Sequence, residues 1–400
     1  MLTMDKDWRY WIMEKIVIVM FSIVFALSAY TNVTFAQEQS VELANNSRSA
    51  ILIERDTGQV LYEKNGKEKL PPASMTKIMT MLLIMEAIDK GELTWDEKIR
   101  TSEHAASMGG SQIFLEPGEE MTTDEMLRGI AIASGNDASV AMAERIAGSE
   151  EAFVQKMNNR AQELGLKDTK FQNPTGLPAK DHYSTAHDMA IIAKELLKFD
   201  DAITKYTGQY EDYLREDTDK KFWLVNTNRL VKFYPGVDGV KTGFTQEAKY
   251  CLTATAKKDD MRVIAVVFGA PTPKDRNAQI TKMLDFAFSQ YKTHPMFERN
   301  QTVAKVKVSK GAEKEIDAVT SEPISVLTKK GENIDDVVQE VKLNTNLKAP
   351  VKKGDVVGSI ILKKGDKVLS ESNLVAANDD PEASWWKLFK RTMGTFTKIA

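Results

Sequence analysis

The chain reads as an α+β protein followed by a small all-β module and an amphipathic tail, and three observations predict this. A hairpin stands at the front, where Ala50-Ile51-Leu52-Ile53 and Val60-Leu61-Tyr62 flank the turn signal Asp56-Thr57-Gly58. Helical periodicity fills the middle, from the mostly apolar run 78–84 to about residue 197. Strand character then returns at 223–225, 237–240, 250–256 and 262–269 before a closing helix over 277–291. Such an order predicts an antiparallel sheet in which the first and last strands can pair, with helices packed against it.

Each element follows from its residues. Met79, Met81, Leu82, Leu83, Ile84 and Met85 are apolar on nearly every face, which predicts a helix threaded through the interior. Residues 101–111 read as loop and short helix around Gly109-Gly110. Residues 124–132 and 138–147 are helical, separated by Ser134-Gly135-Asn136-Asp137, and 151–164 and 188–197 are amphipathic. Between them, 171–185 is irregular and rich in Asn, Pro and Gly. Composition shifts at 293–300. Beyond it, 303–308, 324–327 and 357–362 alternate as short strands, with turns at Lys330-Gly331 and Lys364-Gly365-Asp366. The expected domains are therefore 37–292 and an all-β module over 301–378.

The tail, 384–400, repeats Trp385, Trp386, Phe389, Met393, Phe396 and Ala400 at helical spacing and adds Lys387, Lys390, Arg391 and Lys398. A helix lying in an anionic membrane interface fits that pattern, and a helix docked on its own domain is the alternative. Too few apolar residues run together for it to span a bilayer.

Composition sets further bounds. Four hundred residues suggest two domains, and a net charge of -3 gives no electrostatic reason to expect nucleic acid as a partner. At the N-terminus Lys15 precedes the apolar run 16–29, and Thr34-Phe35-Ala36 offers small residues for a cut near Ala36/Gln37. Residues 1–36 are thus expected to be a secretory signal, with an uncleaved anchor as the alternative and Met13 as a second candidate start. The expected location is outside the cytoplasmic membrane. Cys251 is the only cysteine, so no internal disulfide can form, and its apolar surroundings predict a packed side chain.

Three motifs carry chemistry. Ser74-x-x-Lys77 places a hydroxyl and an amine about one helical turn apart at the head of the apolar helix. A lysine with a destabilised ammonium can take the serine's proton, although a serine at this point can also be a helix cap. Ser134-Gly135-Asn136 and Lys241-Thr242-Gly243 follow in order. His104, His182, His187 and His294 form no recognisable triad motif, and no metal-ligand spacing is present.

In this order the motifs resemble those of the penicillin-binding protein and serine β-lactamase superfamily, within which the chain looks like a low-molecular-mass, serine-type D-alanyl-D-alanine carboxypeptidase. The resemblance covers 45–291 and extends to the β module and the tail. It implies a transpeptidase-type sheet with a helical subdomain, no cofactor and no metal. It further implies that Ser74 attacks the carbonyl between two terminal D-alanines of a peptidoglycan stem pentapeptide, with Lys77 as base. Ser134 would relay the proton, the Ser74 and Phe244 N–H groups would form the oxyanion hole, and Asn136, Lys241, Thr242, Gly243 and Arg276 would hold substrate. Gly243 is expected to leave room for a peptide added along the strand edge. Arg276 could equally be a solvated charge. Phe244 stands where relatives have histidine, which implies altered substrate contacts.

The Glu-x-x-Leu-Asn pattern of class A β-lactamases is absent, and Glu163 and Asp181 lack its context, so β-lactams are expected to acylate Ser74 and leave slowly. A DD-transpeptidase, a β-lactamase and a catalytically weak penicillin-binding scaffold remain alternatives. Residues 101–117 and 222–255 look closest to the carboxypeptidases of spore-forming bacteria.

Overall fold

The computed structural model describes residues 8, 11, 13–15 and 41–396. The chain divides into two units, Met1–Glu42 and Leu43–Ala400. In the first, residues 8, 11 and 13–15 are helical, Trp8 and Trp11 are exposed, and the Lys15 ammonium lies 5.6 Å from the Trp11 ring centre. The apolar run 16–29 and the expected cut after Ala36 lie outside the described residues.

The second unit is built on a five-stranded antiparallel sheet in the order β2-β1-β9-β8-β7. Its strands are β1 (Ser49–Glu54), β2 (Val60–Lys64), β7 (Val237–Thr245), β8 (Lys249–Lys258) and β9 (Met261–Ala270). The expected pairing of first and last segments is present: β1 lies beside β9, with Ala50 opposite Val267 and Leu52 opposite Ala265. Because strand side chains alternate, Ile51 and Ile53 enter the core on one face while Ala50 and Leu52 enter the core on the other. Both faces are covered, which is why the run is apolar without a break.

The larger core holds α1 (Lys77–Asp89), buried at every position from Lys77 to Met85. The expectation of an interior helix is met. Around it pack α3 (Thr123–Ala131), α4 (Asn136–Ala147), α5 (Glu150–Glu163) and α6 (Ala186–Leu196), while α2 is the single turn Glu103–Ala106 and β3 (Lys98–Arg100) pairs with β4 (Glu120–Thr122). Thr122 closes a capping box with Glu125 at the start of α3, and Gly148 at φ +83 ends α4 in the left-handed conformation that glycine favours. The opposite core takes Ile280, Met283, Leu284 and Ala287 of α9 (Pro273–Gln290) and Leu230 of the short α8 (Leu230–Phe233).

Local periodicity did not show α7 (Asp200–Thr207) or β5 (Glu211–Leu214), whereas β6 (Phe222–Val225) covers the strand expected at 223–225 and pairs with β5 as a hairpin. The stretch 293–300, which composition leaves between two modules, is largely a strand. There β10 (Tyr291–Phe297) pairs with β13 (Ile324–Lys329), His294 opposite Val326. The rest of the β module is the sheet β11-β12-β16-β15-β14, formed by β11 (Thr302–Lys307), β12 (Glu315–Thr320), β14 (Val337–Leu343), β15 (Val356–Lys364) and β16 (Lys367–Ala376). Two hydrogen bonds tie the module to the front hairpin: Thr293 Oγ1 donates to Glu54 Oε1 at 3.2 Å and Ser325 Oγ to Asp56 Oδ2 at 2.6 Å.

The tail forms α10 (Trp385–Phe396). Arg391 donates to the carbonyls of Gly311, at 2.7 Å, and Ala312, so one side of this helix is docked on the β module. Trp385, Trp386 and Phe389 stack on one another in solvent, with ring centres 5.4–6.1 Å apart. Met393 and Phe396 have no described side chains, and Lys398 and Ala400 lie outside the described residues.

Candidate active site

Ser74 sits in a 3-10 turn, Ala73–Thr76, that runs into α1. Its hydroxyl caps nothing. Instead it lies 3.3 Å from the amine of Lys77, which is wholly buried. That amine also donates to Asn136 Oδ1 and to the Thr175 carbonyl, each at 2.6 Å. A neutral amine has two N–H bonds and one lone pair. The two acceptors occupy the N–H bonds, which leaves the lone pair for the Ser74 hydroxyl, the arrangement a general base needs.

Electrostatics favours that neutral form. Burial is the largest cause holding Lys77 well below the usual lysine range, the nearby charge of Lys241 acts in the same direction, and Asp137 opposes them. Lys241 is itself buried, and burial followed by the Arg276 charge lowers it to about 7. Burial also lowers Arg276, to about 10, so it keeps its charge at neutral pH. Its guanidinium is held by Asn277 Oδ1 at 2.9–3.0 Å, and it lines the site. A solvated surface charge is therefore not its environment.

A cleft of about 570 Å³ opens over these groups, lined among others by Ser74, Ser134, Thr227, Thr242, Arg276 and Asn277. Ser134 has φ +65 and a buried hydroxyl with no hydrogen-bond partner, a group that a ligand in the cleft can satisfy. The Asn136 amide spans the site, accepting from Lys77 and donating to the Gly109 carbonyl at 2.6 Å. On β7, Thr242 shares a 2.6 Å hydrogen bond with Thr227. Phe244 projects outward, half exposed, its ring 4.5 Å from that of Tyr250.

Gly243 also packs tightly against the serine turn. A Cβ there would fall 2.8 Å from the Pro72 carbonyl oxygen and 3.1 Å from the Ala73 Cβ, so its bareness makes room for the serine turn. Gly176 is more constrained: at φ +82, a Cβ would lie 1.8 Å from the Ala73 carbonyl oxygen.

Sequence reasoning marked 171–185 as an irregular stretch but missed the contacts by which it holds the motif residues in place. The Asn173 side-chain oxygen accepts from Thr175 N, Thr175 Oγ1 and Gly176 N, which turns the Asn-Pro-Thr-Gly stretch into a fixed loop that aims the Thr175 carbonyl at Lys77. The available signal was Asn173 itself, a side chain that bonds the backbone two and three residues on. His182 is a buried positioning residue. Its Nδ1 accepts from Gln172 N and its Nε2 donates to Thr76 Oγ1, as suits a neutral ring whose pKa burial lowers to about 4.

A second set of contacts fixes the Ser134-Gly135-Asn136 motif. The Asp137 carboxylate accepts from the N–H groups of Ile113 and Leu115, and Asn136 N donates to Ser111 O at 2.7 Å. Arg215, just after β5, grips the same segment: its guanidinium donates to Glu119 Oε1 at 2.6 Å and Oε2 at 3.0 Å, and to the carbonyls of Ile113 and Phe114 at 3.1 and 3.2 Å. The β5–β6 hairpin is thereby latched to the motif through residues 111–119. Glu163 is exposed and paired with Arg160, and neither it nor Asp181 lines the cleft around Ser74. Among the described residues no cluster of side chains could hold a metal ion.

Comparison with known proteins decides the family. Residues 34–272 match the family model described as D-alanyl-D-alanine carboxypeptidase, more than half of the chain, and residues 291–382 match that of the penicillin-binding protein 5 C-terminal domain. The chain belongs to the D-alanyl-D-alanine carboxypeptidase family. Within the family it is 69% identical to DacF of Bacillus subtilis over 90% of this chain and 93% of the relative. It is 34% identical to DacC of Escherichia coli, over 90% of this chain and 91% of the relative. Penicillin-binding protein 5 from Haemophilus influenzae superposes with a TM-score of 0.65 at 30% identity, covering 84% of this chain and 98% of that one. Penicillin-binding protein D2 from Listeria monocytogenes, solved in an ampicillin-bound form, superposes with a TM-score of 0.55 at 30% identity over 61% and 98% of the two chains. The expected fold, a transpeptidase-type domain followed by a small all-β domain, is the fold of this family.

Proposed function

We propose that this protein is a serine-type carboxypeptidase that removes the terminal D-alanine from peptidoglycan stem pentapeptides through an acyl-enzyme on Ser74. The observation that carries the reading is the Lys77 amine, buried, with both N–H bonds of its neutral form engaged, and 3.3 Å from the Ser74 hydroxyl. As the Ser74 oxygen bonds to the scissile carbonyl carbon, its proton passes to Lys77. The carbonyl oxygen gains negative charge and is stabilised by the N–H groups of Ser74 and Phe244. When the C–N bond breaks, the proton reaches the departing amine by way of Ser134, and free D-alanine leaves. Water then adds to the ester carbonyl and gives a proton to Lys77; the ester C–O bond breaks, the proton returns from Lys77 to the Ser74 oxygen, and the peptide shortened by one residue leaves with a free carboxylate. Lys241, Thr242 and Arg276 hold the terminal carboxylate, and Asn136 steadies both Lys77 and the substrate. No cofactor takes part in this sequence.

A β-lactam would meet the same serine and form the same ester, and the cleft lining supplies no carboxylate to speed its hydrolysis. Mass spectrometry of muropeptides before and after incubation tests the reaction type: loss of one alanine without new dimers is expected, and new cross-linked dimers would favour transpeptidation. The identity with DacF and the segments 101–117 and 222–255 support a role in spore-wall peptidoglycan.

We further propose export through the signal at residues 1–36 and attachment to the outer face of the membrane through α10. The domains are then 37–292, 301–378 and the tail 384–400. Support comes from the exposed stack of Trp385, Trp386 and Phe389 and from a groove of about 690 Å³ beside the helix, lined by Lys307, Lys310, Lys314 and Lys348. Aromatics at headgroup depth and lysines facing lipid phosphates suit an anionic bilayer surface. No helix among the described residues is long and apolar enough to cross a membrane.

A further inference from the structure

The groove of about 690 Å³ on the β module lies outside the catalytic chemistry. Three segments form it: the end of β11 with the loop that follows, the loop after β14, and the docked side of α10. Ser309 N donates to the Leu347 carbonyl at 2.8 Å and Ala349 N to the Ser309 carbonyl at 3.0 Å, so the first two segments are fixed side by side. Arg391, held by the Gly311 and Ala312 carbonyls, sets α10 against them.

The lining has two chemistries. Val308, Leu347 and Leu388, one from each segment, are buried or half-buried. Lys307, Lys310, Lys314 and Lys348 are exposed, and Glu315 is the single carboxylate among the described residues of the lining. Other lysines of the module find an acid: Lys305 lies 3.2 Å from Asp317, Lys342 3.4 Å from Glu340 and Lys387 3.4 Å from Glu313. None of the four groove lysines forms an ion pair with a described residue.

Ammonium groups gathered in this way repel one another, and an anion seated among them relieves the repulsion. Lysine is a usual point-charge partner of phosphate oxygens. A free phosphate would leave Val308, Leu347 and Leu388 unused. A phosphate ester that carries acyl chains would use both parts of the lining. Leu388 also shares α10 with the exposed stack of Trp385, Trp386 and Phe389, so a helix lying in a bilayer surface brings the groove to headgroup depth.

We propose that this groove is a one-to-one binding site for the headgroup of a single anionic phospholipid. The four lysines take the phosphate ester, and Val308, Leu347 and Leu388 take the first methylenes of the acyl chains. Such a site deepens the membrane-attachment reading above, on which it rests for its source of lipid: the aromatics hold the helix at the surface, and the groove selects the headgroup.

The test is calorimetric titration of residues 37–400, which contain the whole second unit, with soluble probes. These are dihexanoyl phosphatidylglycerol and dihexanoyl phosphatidylcholine, both kept below the concentration at which they form micelles, glycerol 3-phosphate and inorganic phosphate. Phosphatidylglycerol is expected to bind one to one, more weakly as salt is added, and about tenfold more tightly than glycerol 3-phosphate, as burial of two methylenes implies. Phosphatidylcholine should bind less tightly than phosphatidylglycerol, because its own ammonium meets the lysines. Lys307→Gln combined with Lys348→Gln should weaken phosphatidylglycerol binding roughly thirtyfold at low salt with an unchanged melting temperature. Replacing Trp385, Trp386 and Phe389 together by alanine should leave the affinity for the soluble lipid as it was. Absence of binding, equal affinity for phosphatidylglycerol and either glycerol 3-phosphate or phosphatidylcholine, affinity unmoved by the lysine substitutions, or affinity lost in the aromatic variant would each overturn the site. One-to-one binding of the soluble lipid without attachment to phosphatidylglycerol vesicles would overturn the membrane reading and leave the groove as a phosphate-ester site.

Discussion

At the scale of single residues, the proposed reaction gives two buried lysines opposite duties. Lys77 acts as a base only when neutral, and its burial and the Lys241 charge lower its pKa. Lys241 binds a carboxylate only when charged, a state present below about pH 7 and lost above it. The profile of kcat/KM against pH should therefore be a bell, with an acidic limb set by Lys77 and a basic limb near 7 set by Lys241 in the free enzyme. Lys241→Gln removes the repelling charge, so the Lys77 pKa rises and the acidic limb moves to higher pH. Stopped-flow acylation by a chromogenic β-lactam across pH measures this, and a limb that stays in place would refute the coupling of the two lysines.

Ser134 invites a second substitution. Its hydroxyl is buried and without a partner, so Ser134→Ala leaves no broken hydrogen bond behind. The change should lower the rate of D-alanine release by roughly 10²–10⁴-fold, the usual worth of a positioned proton carrier, with little change in thermal stability. An undiminished rate would remove Ser134 from the proton path.

At the scale of elements, the interior position of α1 makes it the most sensitive helix. Ile84→Ala should cost about 2–5 kcal/mol of unfolding free energy by denaturant titration, because Ile84 is wholly buried and its neighbours can only partly close the gap. The latch makes a different demand. Arg215→Ala frees residues 111–119 and with them Asn136, so kcat/KM should fall by roughly tenfold or more, since a displacement of an ångström is costly in a catalytic site. Arg215→Lys keeps the charge but loses the planar fork, so it should recover part of the rate. Equal melting temperatures with unequal rates would mark Arg215 as a positioning residue; unchanged kcat/KM in Arg215→Ala would exclude that role.

The same scale shows what could be read in the chain. The three motifs and the apolar run after Lys77 announce themselves locally, since spacing alone puts Ser74 and Lys77 a turn apart. Asp137, Thr175 and Arg215 do not, because each acts through a contact with a segment more than 20 residues away. Gly243 was legible as a glycine that must stay bare, but its neighbour across the gap, Pro72, comes from a distant part of the chain. The strand β10 was missed for a similar reason: its partner β13 begins well beyond it, and its own residues include Pro295 and His294 with little alternation.

At the scale of the whole molecule, the second unit joins a catalytic domain to a β module that carries an exposed aromatic helix. Vesicle sedimentation of residues 37–400 should show binding to phosphatidylglycerol-containing vesicles that weakens with salt. Substituting Trp385, Trp386 and Phe389 together by alanine should abolish it. Retained binding in that variant would detach α10 from the membrane role.

The central claim is that Ser74 forms the acyl-enzyme. Its most direct measurement is D-alanine released from a D-Ala-D-Ala peptide by residues 37–400, beside the Ser74→Ala variant at equal concentration. The account predicts steady release from the first and none above background from the second. Equal release from both would contradict it.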